Sequence, residues 1–116
     1  MPARLSVTDR EGNLVTMSEK SWQHMLQGHP EMATLESAIR RAVEDPDVVV
    51  RSPQRALHPG GERRVACRLE PSLRAGRPYV YVPIEYSPAR NWIPSAYLDR
   101  LPPTGEVLFV RLIADR

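Results

Sequence analysis

One feature constrains the fold more than any other: the period of the apolar residues changes once, at Asp45-Pro46-Asp47. Before that tripeptide the repeat is helical. Leu35, Ala38, Ile39, Ala42 and Val43 fall at i, i+3, i+4, i+7 and i+8, one stripe of a helix facing a core, and the spacing predicts a helix from about Glu31 to Glu44. Pro46 ends it, because the residue before a proline is pushed out of helical backbone. Beyond the tripeptide the repeat is two. Val48-Val49-Val50 is β-branched, Arg63 to Leu69 alternates with Val65, Cys67 and Leu69 on one face, and Tyr79 to Tyr86 alternates with Val80, Val82 and Ile84 inward. Shorter strands are expected over Asn91–Tyr97 and Glu106–Ile113, and Pro83 marks an edge or a bulge.

Ahead of the long helix, Leu5–Thr8 and Leu14–Met17 flank the turn residues Asp9 to Asn13, which reads as a β-hairpin. Ser18 can cap a first helix carrying Trp22, Met25 and Leu26 on one side, with Gly28 a natural stop and Pro30 beyond it. The expectation is one α+β domain over 1–116: a β-ribbon (1–17), a helical half (18–47) and a sheet half (48–116). Both helices pack on one face of an antiparallel sheet of about four to five strands.

Composition narrows the function classes. One cysteine, Cys67, excludes an internal disulfide or a cysteine-based zinc knuckle, and inside an alternating strand it reads as core. No apolar run approaches the ~18 residues of a membrane span, and Met-Pro-Ala-Arg-Leu-Ser is no signal peptide, so a cytoplasmic protein is expected. The net charge is only +2, yet the cations are 15 Arg and one Lys, Lys20. Residues 51–77 hold seven Arg (51, 55, 63, 64, 68, 74, 77) against Glu62 and Glu70, while 18–47 is net acidic. That asymmetry suggests an anionic partner, although a GC-rich genome alone also enriches Arg.

His24 and His29 are five apart, about 140° around a helix, so they do not form the i, i+4 pair of a zinc site. No phosphate loop, no serine nucleophile elbow and no metal set is present, and no cofactor is expected. What remains is His, Arg and hydroxyls, a set suited to metal-free RNA cleavage. A neutral His takes the ribose 2′-hydroxyl proton, Arg stabilises the phosphorane, and a second acid protonates the leaving oxygen.

A family resemblance sharpens this. Trp22-Gln23-His24-Met25-Leu26-Gln27-Gly28-His29-Pro30-Glu31-Met32 resembles the "H-I-x-x-R-H-P-E-L" helix of small phage-borne and toxin-like proteins of the barnase–EndoU–colicin–RelE-like (BECR) nuclease fold. Val43 to Val49 is similar to that family's "i-x-x-P-D-x-I", Tyr79 to Glu85 to its "Y-L-x-V-x-V", Ile93 to Tyr97 to its "V-I-T-A-Y", and Gly105 to Phe109 to its "G-x-x-L-W". The order covers about residues 20–110. Two positions depart from it: Gly28 stands where the family has Arg, and Pro94 interrupts the strand before Ser95.

The resemblance implies a metal-independent endoribonuclease, with RNA as substrate and an antitoxin or immunity protein as partner. It carries catalytic roles onto His24, His29, Ser95 and Tyr97, with a basic strand residue at Arg63 or Arg64. Arg64 is favoured, being opposite Val65 and Cys67. Arg51, Arg55, Arg63, Arg68 and Arg77 are then the nucleic-acid contacts. The rival expectation is a non-catalytic RNA- or protein-binding module that keeps the fold.

Overall fold

The structure is a computed structural model and describes residues 3–52, 56, 60–73 and 76–111. Strands β1 (Leu5–Thr8) and β2 (Leu14–Met17) form the expected hairpin, with Leu5 opposite Met17 and Val7 opposite Val15. All four of those side chains are buried, as period-2 alternation requires. The Asp9 carboxylate closes the turn by accepting the backbone N–H groups of Glu11 (2.9 Å) and Asn13 (2.8 Å). Gly12 supplies the positive φ (+89°) that an L side chain rarely adopts.

Helix α1 (Glu19–Gly28) starts where the Ser18 hydroxyl accepts the Ser21 N–H at 3.0 Å, and it buries Trp22 and Met25. Its end is set by Pro30 rather than by a left-handed glycine. His29, the residue before the proline, lies outside the helical region (φ −137°, ψ 69°), and Gly28 has no positive φ. The expected single helix from Glu31 to Glu44 is two pieces. Pro30–Thr34 is a 3₁₀ turn that buries Met32, and α2 (Glu36–Glu44) begins only after Leu35. The apolar stripe itself is as read: Ala38, Ile39, Ala42 and Val43 are buried.

The second half forms β3 (Val48–Arg51), β4 (Glu62–Leu69), β5 (Tyr79–Tyr86), β6 (Asn91–Trp92), β7 (Tyr97–Asp99) and β8 (Glu106–Val110). The fold is α+β with two α-helices, but the sheet is larger than expected and mixed. Its order is β1-β2-β6-β5-β4-β3-β8, with β7 also on β5. The N-terminal hairpin joins this sheet through a parallel contact, Thr16 beside Trp92, while the other pairings are antiparallel. Pro83 is in an interior strand, not at an edge. It falls in the gap on one side of β5 between β6, which pairs Glu85 and Tyr86, and β7, which pairs Tyr79 to Tyr81.

The sheet curls around α2, which touches β1, β4 and β5. The hairpin turn folds over the same face: the Tyr86 hydroxyl donates to Asp9 (2.8 Å), Glu11 meets Arg64 (3.1 Å), and Arg10 lies over the Phe109 ring (3.7 Å). Between helices and sheet lies the main core, which includes Ala66, Val80, Val82 and Ile84. A second, smaller cluster of Val50, Val65, Cys67 and Tyr81 sits on the opposite face with Tyr97 against it. Burial pushes the Cys67 thiol up to about 12, which suits a packing residue and not a nucleophile.

Candidate active site

The face of the sheet turned away from the helices carries a cleft of about 600 Å³ floored by β4 and β5. Helix-exit, strand and loop side chains all reach into it. His29 comes from the exit of α1, where its backbone N–H donates to the Met25 carbonyl at 2.7 Å. Its ring stacks on Tyr97 of β7, with centroids 5.4 Å apart and planes at 24°. Tyr97 in turn leans on Tyr81 of β5 at 5.2 Å. The Tyr81 hydroxyl donates to the Leu101 carbonyl and so ties the rim loop, Leu101 to Thr104, to the floor. Ser95 reaches the cleft from the irregular link between β6 and β7.

Arg63 supplies the positive charge. It stands directly across from Glu85 in the β4–β5 register, and its Nε lies 2.7 Å from the Glu85 carboxylate. The Glu85 side chain is only 2% exposed and Arg63 17%. A carboxylate so buried needs a paired cation, so the pair fixes where the guanidinium sits. Burial first, then the neighbouring Asp99 charge, raises the Tyr97 hydroxyl above its ordinary value, with Arg63 opposing. Tyr97 is therefore protonated at neutral pH and available as a hydrogen-bond donor.

The other candidates lie elsewhere. Arg64 projects to the helix-bearing face, where it covers the Tyr86 ring (4.8 Å) and pairs with Glu11 and Glu62. Burial opposes ionisation of Glu62, but hydrogen bonds from Arg64 and Arg51 outweigh it and hold that carboxyl below its usual range. Arg51 also meets Glu106 (2.7 Å), and Arg68 pairs with Asp45 and Glu70 (both 3.1 Å). Much of the basic stretch is thus matched by acids. Arg77 is exposed. Arg55 lies outside the described residues, as do Arg74 and His58. His24 lines a different cleft, with Lys20, Arg90 and Trp92.

Sequence reasoning did not single out Glu85, Asp99 or Thr104 as site residues, all at this face. The signal for Glu85 was present: an acid closing an otherwise apolar strand, Tyr79 to Tyr86, implies a buried partner once that strand is central. Among the described residues no group of three His, Cys, Asp or Glu is placed to hold a metal ion, and no helix is long and apolar enough to cross a membrane. Compared with protein-family models, curated proteins and solved structures, the chain matches none.

Proposed function

We propose that this chain is a metal-independent RNA endonuclease of toxin-like character. The observation that carries the reading is the meeting of His29, Arg63, Ser95 and Tyr97 in one cleft, drawn from the exit of α1, β4, the β6–β7 link and β7. In the reaction, His29 takes the proton from a ribose 2′-hydroxyl as the 2′-oxygen bonds to phosphorus. The bond from phosphorus to the 5′-oxygen breaks, and that oxygen takes a proton from Tyr97. Arg63 stabilises the charge that develops on the phosphorane, and Ser95 donates a hydrogen bond to a phosphate oxygen. The products are a 2′,3′-cyclic phosphate and a 5′-hydroxyl. The resemblance to BECR proteins adds an antitoxin or immunity partner.

One observation favours the alternative of a non-catalytic binding module: Glu85 already offsets part of the Arg63 charge. Incubation of labelled single-stranded RNA with the protein in excess EDTA separates the two. Fragments ending in a cyclic phosphate, reduced about 10²–10⁴-fold in His29→Ala, are the expected result, that range being what general acid–base assistance supplies. RNA left intact by a well-folded protein overturns the nuclease in favour of the binding module.

A further inference from the structure

The larger of the two clefts described here is not the one with the catalytic set. It encloses about 750 Å³ and is lined by Lys20, His24, Arg90, Trp92 and Pro94, with Glu19 at its side. Its chemistry is a stacking surface with cations beside it. The half-buried Trp92 indole has the Arg90 guanidinium over its ring at 5.0 Å. The Arg90 backbone is set by a tight turn: the Ser87 hydroxyl donates to the Arg90 carbonyl (2.7 Å) and accepts its N–H (3.2 Å). Lys20 and His24 are one helical turn apart on α1, so both project to this side. The Glu19 carboxylate accepts from Gln23 at 2.9 Å, an interaction on its own helix.

The two clefts are neighbours. Pro94 lines this one and Ser95, the next residue, lines the other. His24 on α1 and His29, the residue just past its end, repeat the relation, one lining each cleft. The Pro94–Ser95 link thus borders both clefts.

We infer that the Trp92 cleft is a subsite for a nucleotide adjoining the scissile phosphate of single-stranded RNA, its base taking the place of the Arg90 guanidinium over Trp92 and its phosphate held by Lys20 and the displaced Arg90. Aromatic platforms flanked by cations are the general means of holding an unpaired nucleotide. The inference rests on the nuclease reading for its substrate, but its test does not depend on cleavage.

The probe is a fluorescein-labelled 2′-O-methyl hexanucleotide, which lacks the attacking hydroxyl and so reports binding alone. Wild-type protein is expected to bind it at low salt with quenching of Trp92 emission; the other tryptophan, Trp22, is buried. Lys20→Ala/Arg90→Ala removes two exposed or rim cations and should weaken binding about tenfold or more. It should also flatten the salt slope by about 1.4, the expectation for two lost contacts to a single strand. Arg40→Ala/Arg41→Ala, an equal charge loss on α2, should do neither. Wild-type affinity and slope in the Lys20/Arg90 variant, or no binding by the wild type, overturn the subsite. A protein that binds the hexanucleotide in this Lys20/Arg90-dependent way yet leaves ordinary RNA uncut keeps the subsite and loses the nuclease.

Discussion

Arg63 and Arg64 are adjacent in the chain and on opposite faces of the sheet, because side chains along a strand alternate. Their environments make opposite predictions. Arg64 makes partly exposed ion pairs with Glu11 and Glu62, of the kind that contributes about 0–1 kcal/mol. Arg64→Ala should therefore change urea stability little and leave cleavage intact. Arg63 neutralises a buried carboxylate. Arg63→Ala strands the Glu85 charge, a change that costs about 3–5 kcal/mol in such pairs. Loss of activity in that variant would be ambiguous, since the fold suffers too. Arg63→Met/Glu85→Leu resolves it: replacing both partners with apolar groups restores stability. EDTA-resistant cleavage should stay about 10²–10³-fold down, the usual effect of removing one charge-stabilising donor. A double variant that is stable and cuts RNA at the wild-type rate removes Arg63 from the chemistry.

At the scale of elements, the N-terminal hairpin is fastened by Asp9. Burial raises the Asp9 carboxyl, but hydrogen bonds from the Asn13 backbone, the Tyr86 hydroxyl, the Asn13 amide and the Glu11 backbone together hold it below its ordinary value. The folded pKa is thus lower than the unfolded one. As pH falls the unfolded chain takes up this proton first, so the stabilisation is complete above about pH 4, the unfolded value. It is lost as pH falls through the folded value. Asp9→Asn should lower Tm by about 4 °C at pH 7, the scale of ~1 kcal/mol in a chain of this size. The gap between the two proteins should narrow toward pH 3. An unchanged gap in melting curves at the two pH values would mean that Asp9 contributes nothing through its charge.

Elements whose pattern is local were readable from the chain alone. The stripe from Leu35 to Val43 marked α2, and alternation marked β4 and β5. The 3₁₀ turn at Pro30–Thr34 and the two-residue β6 carry no periodic signal of their own. The junction of hairpin and sheet is a single parallel register between Thr16 and Trp92, set by tertiary packing. The site shows the same division. His29, Ser95 and Tyr97 were named from short motifs and line one cleft, but the choice between Arg63 and Arg64 was not legible. Both faces of β4 are apolar in the middle. Ala66 fits beneath the helices, and Val65 and Cys67 build the second cluster, so alternation alone could not say which face is open.

Over the whole molecule, the N-terminal hairpin shares one core with the helices and the central strands. Leu5 and Val15 of the hairpin pack in the same cluster as Ile39 of α2 and Val80 of β5, and Arg10 bridges to Phe109 on the last strand. The cleft has the same breadth, drawing on the end of α1, on β4 and on β7. Such a structure should unfold as one unit. Tryptophan fluorescence, which samples Trp22 in the core and Trp92 in its cleft, and far-UV circular dichroism should trace one urea curve. Ile39→Ala is fully buried and remote from the cleft face, and it should cost about 2–5 kcal/mol. It should move the midpoints of both signals, and of activity loss, by equal amounts, because no part of the cleft survives without α2 beneath the sheet. Activity that vanishes well before either optical signal, in both proteins and at the same urea concentration, would instead make the cleft rim a separately opening unit. The Leu101–Thr104 loop, tied to the floor through Tyr81, is the segment whose release would then account for it.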